Sequence, residues 1–298
     1  WGTAGNGRLG NGTSSGDISS PVQVGALTDW AECSSDIDVN GFSFVTKTDG
    51  TLWGWGLNTN GQLGLDDTAN RSSPVQVGSL TNWSKISIGS HIQAIKTDGT
   101  LWGWGVNNNG AIGDGTTANK SSPVQIGALS DWASIDAAPQ HTLAVKTDGS
   151  LWSWGSNNDG RLGDGTIIKR SSPVQIGGLT NWSKVSGADG SLAVKTDGTL
   201  WAWGDNSPSG QLGLGNVTNY SSPVQVGSLT TWSSISQRDH TLAVKTDGTM
   251  WSWGSGSFGR TGHGDVVNRS SPVQIGATTD WFSVDGGGNG HSLALKTV

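Results

Sequence analysis

Four histidines of this chain share one register: His91, His141, His240 and His291 each stand five residues before a lysine, and Phe42 and Gly190 hold that place in two further copies. Imidazoles repeated at a fixed step could bind a metal or pass protons. A zinc site needs ring nitrogens about 2.0–2.1 Å from one ion. Equivalent atoms in neighbouring units of a ring stand too far apart for that, so neither a metal nor any other cofactor is expected. Gly113-Asp114-Gly115-Thr116 and Gly163-Asp164-Gly165-Thr166 have some flavour of a calcium loop, but lack the alternating oxygen ligands and closing Glu of a dedicated site. No glycine-rich phosphate loop with its lysine and no strained nucleophile elbow is present. Serines are so abundant that a Ser–His–Asp set drawn from them means nothing. The single Cys33 cannot form an internal disulfide. No catalytic residue is singled out, and the chain is expected not to be an enzyme.

The elements that would carry these residues are repeats. Ser-Ser-Pro-Val-Gln, followed by Val or Ile and then Gly, occurs six times, with prolines at Pro21, Pro74, Pro123, Pro173, Pro223 and Pro272, a period of 49 to 53 residues. Lys-Thr-Asp-Gly begins at Lys47, Lys96, Lys146, Lys195 and Lys245, and a truncated copy, Lys296-Thr297-Val298, ends the chain. Trp-x-Trp-Gly follows each complete copy, and a third tryptophan sits nine residues after each proline. Three per repeat predicts eighteen tryptophans, and there are 17. Trp1-Gly2 matches the second half of a Trp-x-Trp-Gly, so one repeat is expected to be split between the termini; about five residues would join Val298 to Trp1 in register.

Each repeat reads as four short strands, exemplified by 141–146, 100–104, 123–126 and 132–135. Thr-Asp-Gly joins the first two as a tight hairpin, Asp and Gly both tolerating positive φ. Adjacent apolar residues such as Leu143-Ala144-Val145 suit a strand covered on both sides. A four-stranded unit of this length, without distinct capping repeats, favours a ring over an open solenoid. The expectation is an all-β chain: a single six-bladed β-propeller over residues 1–298, closed by N- and C-terminal strands sharing one blade. The tryptophans, fixed in register, are expected in the core rather than on a sugar-stacking surface.

The totals agree. Only 13% of residues are charged and 48 are glycine, which excludes a charge-rich disordered chain and a helical one. There is no apolar run long enough to cross a bilayer, so no membrane insertion is expected. A net charge of −6 without a Lys/Arg run suits a phosphate backbone poorly, so nucleic acid is not an expected partner. The compartment stays open, an extracellular or virion-associated setting being compatible with a soluble chain.

The segment Asn58-Thr59-Asn60-Gly61-Gln62-Leu63-Gly64, with looser copies such as Gly160-Arg161-Leu162-Gly163 and Gly210-Gln211-Leu212-Gly213, resembles the regulator of chromosome condensation repeat family when taken with the Asp-Gly, Trp-Gly and histidine elements. The resemblance covers the whole chain. It implies a propeller that acts through protein partners: the eponymous member exchanges nucleotide on a small Ras-like GTPase, and a bacterial relative of the fold inhibits β-lactamases. It also implies a structural role for the histidines, each bonding an adjacent loop backbone. That member has seven repeats and engages chromatin, whereas six repeats and an acidic balance are found here, and no exchange-specific loop can be matched. The close mutual similarity of the copies resembles the prokaryotic, viral or engineered end of the family.

Loop lengths point to a working face. Each Lys is followed by a tryptophan after six residues and each Pro after nine, so two connections per repeat are uniform. The other two vary, at 19 or 20 and at 13 to 17 residues, and alternating strand directions put both on the opposite face. Variable loops on a rigid scaffold are where binding usually resides. The expected partner-binding residues are Asp38, Asn40, Phe42, His91, Gln140, His141, Asp189, Arg238, Asp239, His240, Asn289 and His291. The expected function is a non-enzymatic scaffold for a protein partner, as part of a larger assembly or alone. The alternatives are a glycan-binding lectin and the exchange or inhibitor roles that the resemblance implies. The lysines and aspartates of Lys-Thr-Asp-Gly are expected to form a solvated turn surface.

Overall fold

The computed structural model describes residues 2–26, 28–35, 41–287 and 291–297. In chain order, β1 (Gly2–Thr3) and β2 (Asp17–Ile18) pair with each other. Blade 1 follows as β3 (Trp30–Ser35), β4 (Phe42–Lys47), β5 (Leu52–Gly56) and β6 (Arg71–Gln76). Blade 2 comprises β7 (Trp83–Ile88), β8 (His91–Lys96), β9 (Leu101–Gly105) and β10 (Lys120–Gln125). Blade 3 comprises β11 (Trp132–Ala137), β12 (His141–Lys146), β13 (Leu151–Gly155) and β14 (Arg170–Gln175). Blade 4 has β15 (Trp182–Gly187), β16 (Gly190–Lys195), β17 (Leu200–Gly204) and β18 (Tyr220–Gln225), and blade 5 has β19 (Trp232–Gln237), β20 (His240–Lys245), β21 (Met250–Gly254) and β22 (Arg269–Gln274). β23 (Trp281–Asp285) and β24 (Leu293–Lys296) end the chain.

Each of the five complete blades is an antiparallel sheet whose strands pair in chain order. The strand beginning at the third tryptophan is therefore the innermost strand of the next blade, not the last of its own repeat. Residues of β3, β7, β11 and β23, with Arg238 just after β19, line one central cavity of about 450 Å³, among them Cys33, Ile88, Asp136 and Asp285, so the blades circle a common axis. The architecture is a six-bladed β-propeller.

The core lies between blades. The second strand of blades 2 to 5 is buried along its whole length, as expected for a strand covered on both faces. Leu101, Ile112 and Ile126 of blade 2 form one cluster with Trp132, Ala144 and Trp154 of blade 3, and the arrangement repeats between blades 3 and 4 and between 4 and 5. Trp104, Trp154, Trp203 and Trp253 are fully buried. Close approach to these indoles explains a glycine of the Gly-x-Leu-Gly element: a Cβ on Gly163 (φ +76°) would stand 2.7 Å from Trp203 Nε1.

The uniform face is built from short-range bonds. In the Thr147-Asp148-Gly149 turn only Gly149 has positive φ (77°). Asp148 serves otherwise: its Oδ1 accepts the Ser150 N–H (2.8 Å) and hydroxyl (2.6 Å), and Ser150 Oγ accepts Trp152 Nε1–H (2.9 Å). The lysines are not solvated here. Lys146 is buried, its Nζ 4.4 Å from the Trp152 ring and 4.9 Å from that of Trp132, and the arrangement recurs at Lys47, Lys96, Lys195 and Lys245. Each ammonium rests on two indole faces, with the aspartate left outside.

The sixth blade comes in two halves, β23–β24 and β1–β2, which share no ladder among the described residues. Among the described residues its third strand is represented by Gly2–Thr3, with Gly2 opposite Ile18 as Gly155 is opposite Arg170 in blade 3. The Val298–Trp1 junction lies outside the described residues.

Candidate functional site

The connections that vary in length, β11 to β12 and β13 to β14 in blade 3 and their equivalents, emerge together opposite the Thr-Asp-Gly turns, since each blade is antiparallel throughout. Within this face the expected residues separate into two groups.

The first group is internal. Phe42 is 1% exposed and packs edge-on to Phe44, so it belongs to the core between blades 1 and 2 rather than to a binding surface. His91, His141 and His240 are fully buried as well. His91 Nε2 lies 2.6 Å from Thr142 Oγ1 of the next blade, and that hydroxyl donates to Ala111 O (2.9 Å). Because the hydroxyl proton is already committed, the imidazole donates from Nε2. The same link joins His141 to Ser191 and Arg161 O, and His240 to Ser292 and Arg260 O. Burial pushes the His91 ring down to about 3, and burial followed by the Arg260 charge pushes His240 down to about 4. His141 is also lowered, by burial and then by Arg161. These neutral rings stitch blade to blade through a side-chain hydroxyl, not through the loop backbone.

The second group faces outward. Gln140, Asp189, Asp239 and His291 are exposed. Asp189 and Asp239 pair with the buried guanidinium groups of Arg161 and Arg260, so carboxylate oxygens point out over buried cations. Burial raises the pKa of Asp189, opposed by Arg161 and reinforced by Asp205, Asp239 and Asp159. Arg238 is half-buried on the central cavity, Nη1 donating to Gly187 O (3.1 Å). Asp38, Asn40 and Asn289 lie outside the described residues.

The cavity has its own order. Ser87, Asp136, Ser186 and Ser236 occupy one register, and each accepts a backbone N–H from the following blade, of Ala137, Gly187, Gln237 and Gly286 respectively. Asp136 is raised by its burial, against the pull of Arg238 and its bonds from Gly187 and Ser87. The two calcium-like segments are occupied by protein: Asp114 accepts the Thr116 N–H and pairs with Lys120, and Asp164 pairs with Arg170.

Sequence reasoning missed a third feature. Ile167, Ile168, Val217, Val266 and Val267 are exposed at the tips of the loops before β14, β18 and β22, and Phe258, in the last of these loops, is 82% exposed. Neighbouring loops touch through Lys169–Asn109, Asn219–Asp159 and Asn268–Ser209 hydrogen bonds. The signal was present in the register itself, since Thr68-Ala69 and Thr117-Ala118 hold these places in the earlier copies. Exposed apolar groups gathered on one face mark interaction surfaces.

A six-bladed ring of near-identical blades with an irregular loop face defines a propeller with an interaction surface. The profile of the Regulator of chromosome condensation (RCC1) repeat matches residues 49–95, 98–145, 148–194, 197–244 and 247–295, and a second RCC1 repeat profile matches 132–161. The chain belongs to this family. It is 35% identical over 77 residues to human "Probable E3 ubiquitin-protein ligase HERC3", covering 26% of this chain and 7% of the ligase. Among solved structures, human WBSCR16 superposes with a TM-score of 0.80 at 19% identity, over 94% of this chain and 77% of that one. Yeast RCC1 (Prp20), solved with Kap60, superposes at 0.75 and 20% identity, over 87% and 65%. Prp20p from Saccharomyces cerevisiae, reported with its binding to Gsp1p and histones, superposes at 0.74 and 20%, over 87% and 68%.

Two expectations are corrected by these matches. The named relatives are human and yeast proteins, which overturns a prokaryotic or viral-like placement. Likeness between copies reports the identical packing that each blade must satisfy, not lineage. The exclusion of enzymatic activity does not stand either: the chain shares the fold of yeast RCC1 (Prp20), and the want of a recognisable catalytic side-chain set in the sequence does not exclude activity. Among the described residues no helix is long and apolar enough to cross a membrane.

Proposed function

We propose that residues 1–298 form a single propeller domain that docks a folded protein through its variable-loop face, the partner being a Ras-like GTPase on which the chain promotes nucleotide exchange. The observation that carries the reading is the composition of that face: exposed Ile167, Ile168, Val217, Val266, Val267 and Phe258 beside the outward carboxylates of Asp189 and Asp239. Apolar anchors ringed by hydrogen-bonding groups are the usual make-up of a protein interface. The indoles that a lectin would need for stacking on sugars lie in the core or over lysines. The exchange role follows from family membership and from the likeness to Prp20p.

The test is release of a fluorescent guanine nucleotide from a panel of Ras-like GTPases, with and without the chain, alongside direct binding. Accelerated release by the wild-type chain, lost in Ile168→Asp/Val267→Asp and unchanged in the uniform-face variant Asp148→Lys, is the expected result. Binding without faster release would leave the docking role and remove exchange. Equal loss from both variants would remove the assignment of the face.

A further inference from the structure

Three charged side chains on the central cavity exceed what the repeat needs at their positions. The register that ties each blade to the next holds Ser34, Ser87, Ser186 and Ser236 in four blades, but Asp136 and Asp285 in the third and sixth. A hydroxyl suffices for that tie: Ser87, Ser186 and Ser236 each accept a backbone N–H of the following blade. Asp136 accepts the Gly187 N–H in the same way, so its charge is additional. Arg238 is the third departure. Its backbone N–H donates to His240 O as those of Gly89 and Ala188 donate to His91 O and Gly190 O, so blades 2 and 4 place a glycine and an alanine where blade 5 has arginine.

The three meet without pairing. β11, β15, β19 and β23 are successive neighbours around the axis, so Asp136 on the first and Asp285 on the last stand half a ring apart and face each other across the cavity that both line with Arg238. Asp136 is attracted by Arg238 and repelled by Asp285. Yet among the described residues none of the three makes an ion pair. Arg238 directs Nη1 to Gly187 O (3.1 Å) and Gln237 O (3.1 Å), and its Nε–H is buried without a partner among the described residues. Asp285 Oδ1 accepts only the long bond from Ser236 Oγ (3.3 Å) among the described residues. Unpaired charges facing a cavity are unfavourable, and a ligand of opposite pattern relieves them.

We propose that the central cavity is a binding site for a free basic α-amino acid of the arginine or lysine type. The site presents two carboxylates and one guanidinium, from Asp136, Asp285 and Arg238; a basic amino acid presents the inverse, two cations and one carboxylate. Its carboxylate pairs with Arg238, and its α-ammonium and side-chain cation go to the two aspartates. The methylenes between them lie along Ile86 and Ile88, which line the same cavity. A volume of about 450 Å³ suits a small ligand. The three recognising charges all belong to the unbroken arc from β11 to β23.

The probe is L-arginine, titrated into the full chain by calorimetry, and one site is expected. Agmatine, which lacks the carboxylate, and citrulline, which keeps the shape of arginine without its side-chain charge, are each expected to bind at least about tenfold more weakly, as loss of one charge-assisted contact does. The variants restore the residue of a sister blade and so keep the fold, which urea midpoints check. Asp136→Ser and Asp285→Ser should each weaken arginine by a similar factor, and Arg238→Ala should abolish the preference for arginine over agmatine. No saturable binding up to about 10 mM, tenfold above a Kd of about 1 mM, would overturn the proposal. So would equal binding of arginine, agmatine and citrulline, or an unchanged affinity for arginine in all three variants.

Discussion

Blade 3 and the split sixth blade are built from the same repeat, yet they hold themselves together differently. Blade 3 has both neighbours: Trp154 is fully buried, Lys146 lies between two indoles, and His141 reaches a hydroxyl on blade 4. In the sixth blade Lys296 sits over one indole among the described residues, that of Trp281, with its side chain 40% exposed, and His291 is exposed. The contrast teaches that the repeat's recurring residues stabilise contacts between blades, and that where no third strand is described beside them the same residues make fewer of those contacts.

The largest expected effect is at the buried indole. Trp154→Ala should cost roughly 3–5 kcal/mol in chemical denaturation, while Trp281→Ala, at a half-buried indole, costs clearly less; equal losses would break the comparison. Next come the histidines. His141→Ala removes the N–H that the buried Ser191 oxygen accepts and should cost about 1–3 kcal/mol, while His291→Ala stays within about 0.5 kcal/mol.

The same rings set a pH dependence. His91 and His240 titrate near 3 and 4 when folded and near 6.5 when unfolded. The unfolded chain therefore binds more protons in that window, and stability, full above about 6.5, falls as pH drops toward 4, by up to about 1.4 kcal/mol per unit for each ring. Urea midpoints at pH 8, 6 and 4.5 for wild type and His91→Gln measure it; the variant should show the shallower decline, and identical slopes would remove the histidines as the cause.

Smaller still is the lysine. Lys146→Met should cost about 0.5–2 kcal/mol, the range of a cation over aromatic faces, and Lys296→Met less than that. Smallest is Phe258→Ser, which should leave stability within about 0.5 kcal/mol while weakening capture of a protein partner in a binding assay.

Much of the architecture was legible because it is periodic. Spacing alone yields the blades, the burial of the second tryptophan of each complete pair and the segregation of uniform from variable connections; the first tryptophan of each pair is only half-buried. What periodicity conceals is direction. His141 and Phe42 share a register with the loop mouth, but each is already the first residue of its strand, and their side chains point into the packing between blades. Lys146 reads as a surface charge, and only three dimensions show two indoles beneath it. Asp148 reads as a residue tolerant of positive φ and is in fact an acceptor for Ser150. The outward residues Asp189 and Asp239 were found because loops that differ among copies are free of the packing constraint. The apolar tips at Ile167 and Val266 escaped notice because apolar residues in a repeat are first read as core.

Among the described residues every hydrophobic cluster draws its members from two adjacent blades, as where Leu143 and Val145 meet Trp182 and Trp203. No blade therefore owns an interior, and none should persist when excised. The molecule should melt as a hoop rather than shed its segments like beads from a string.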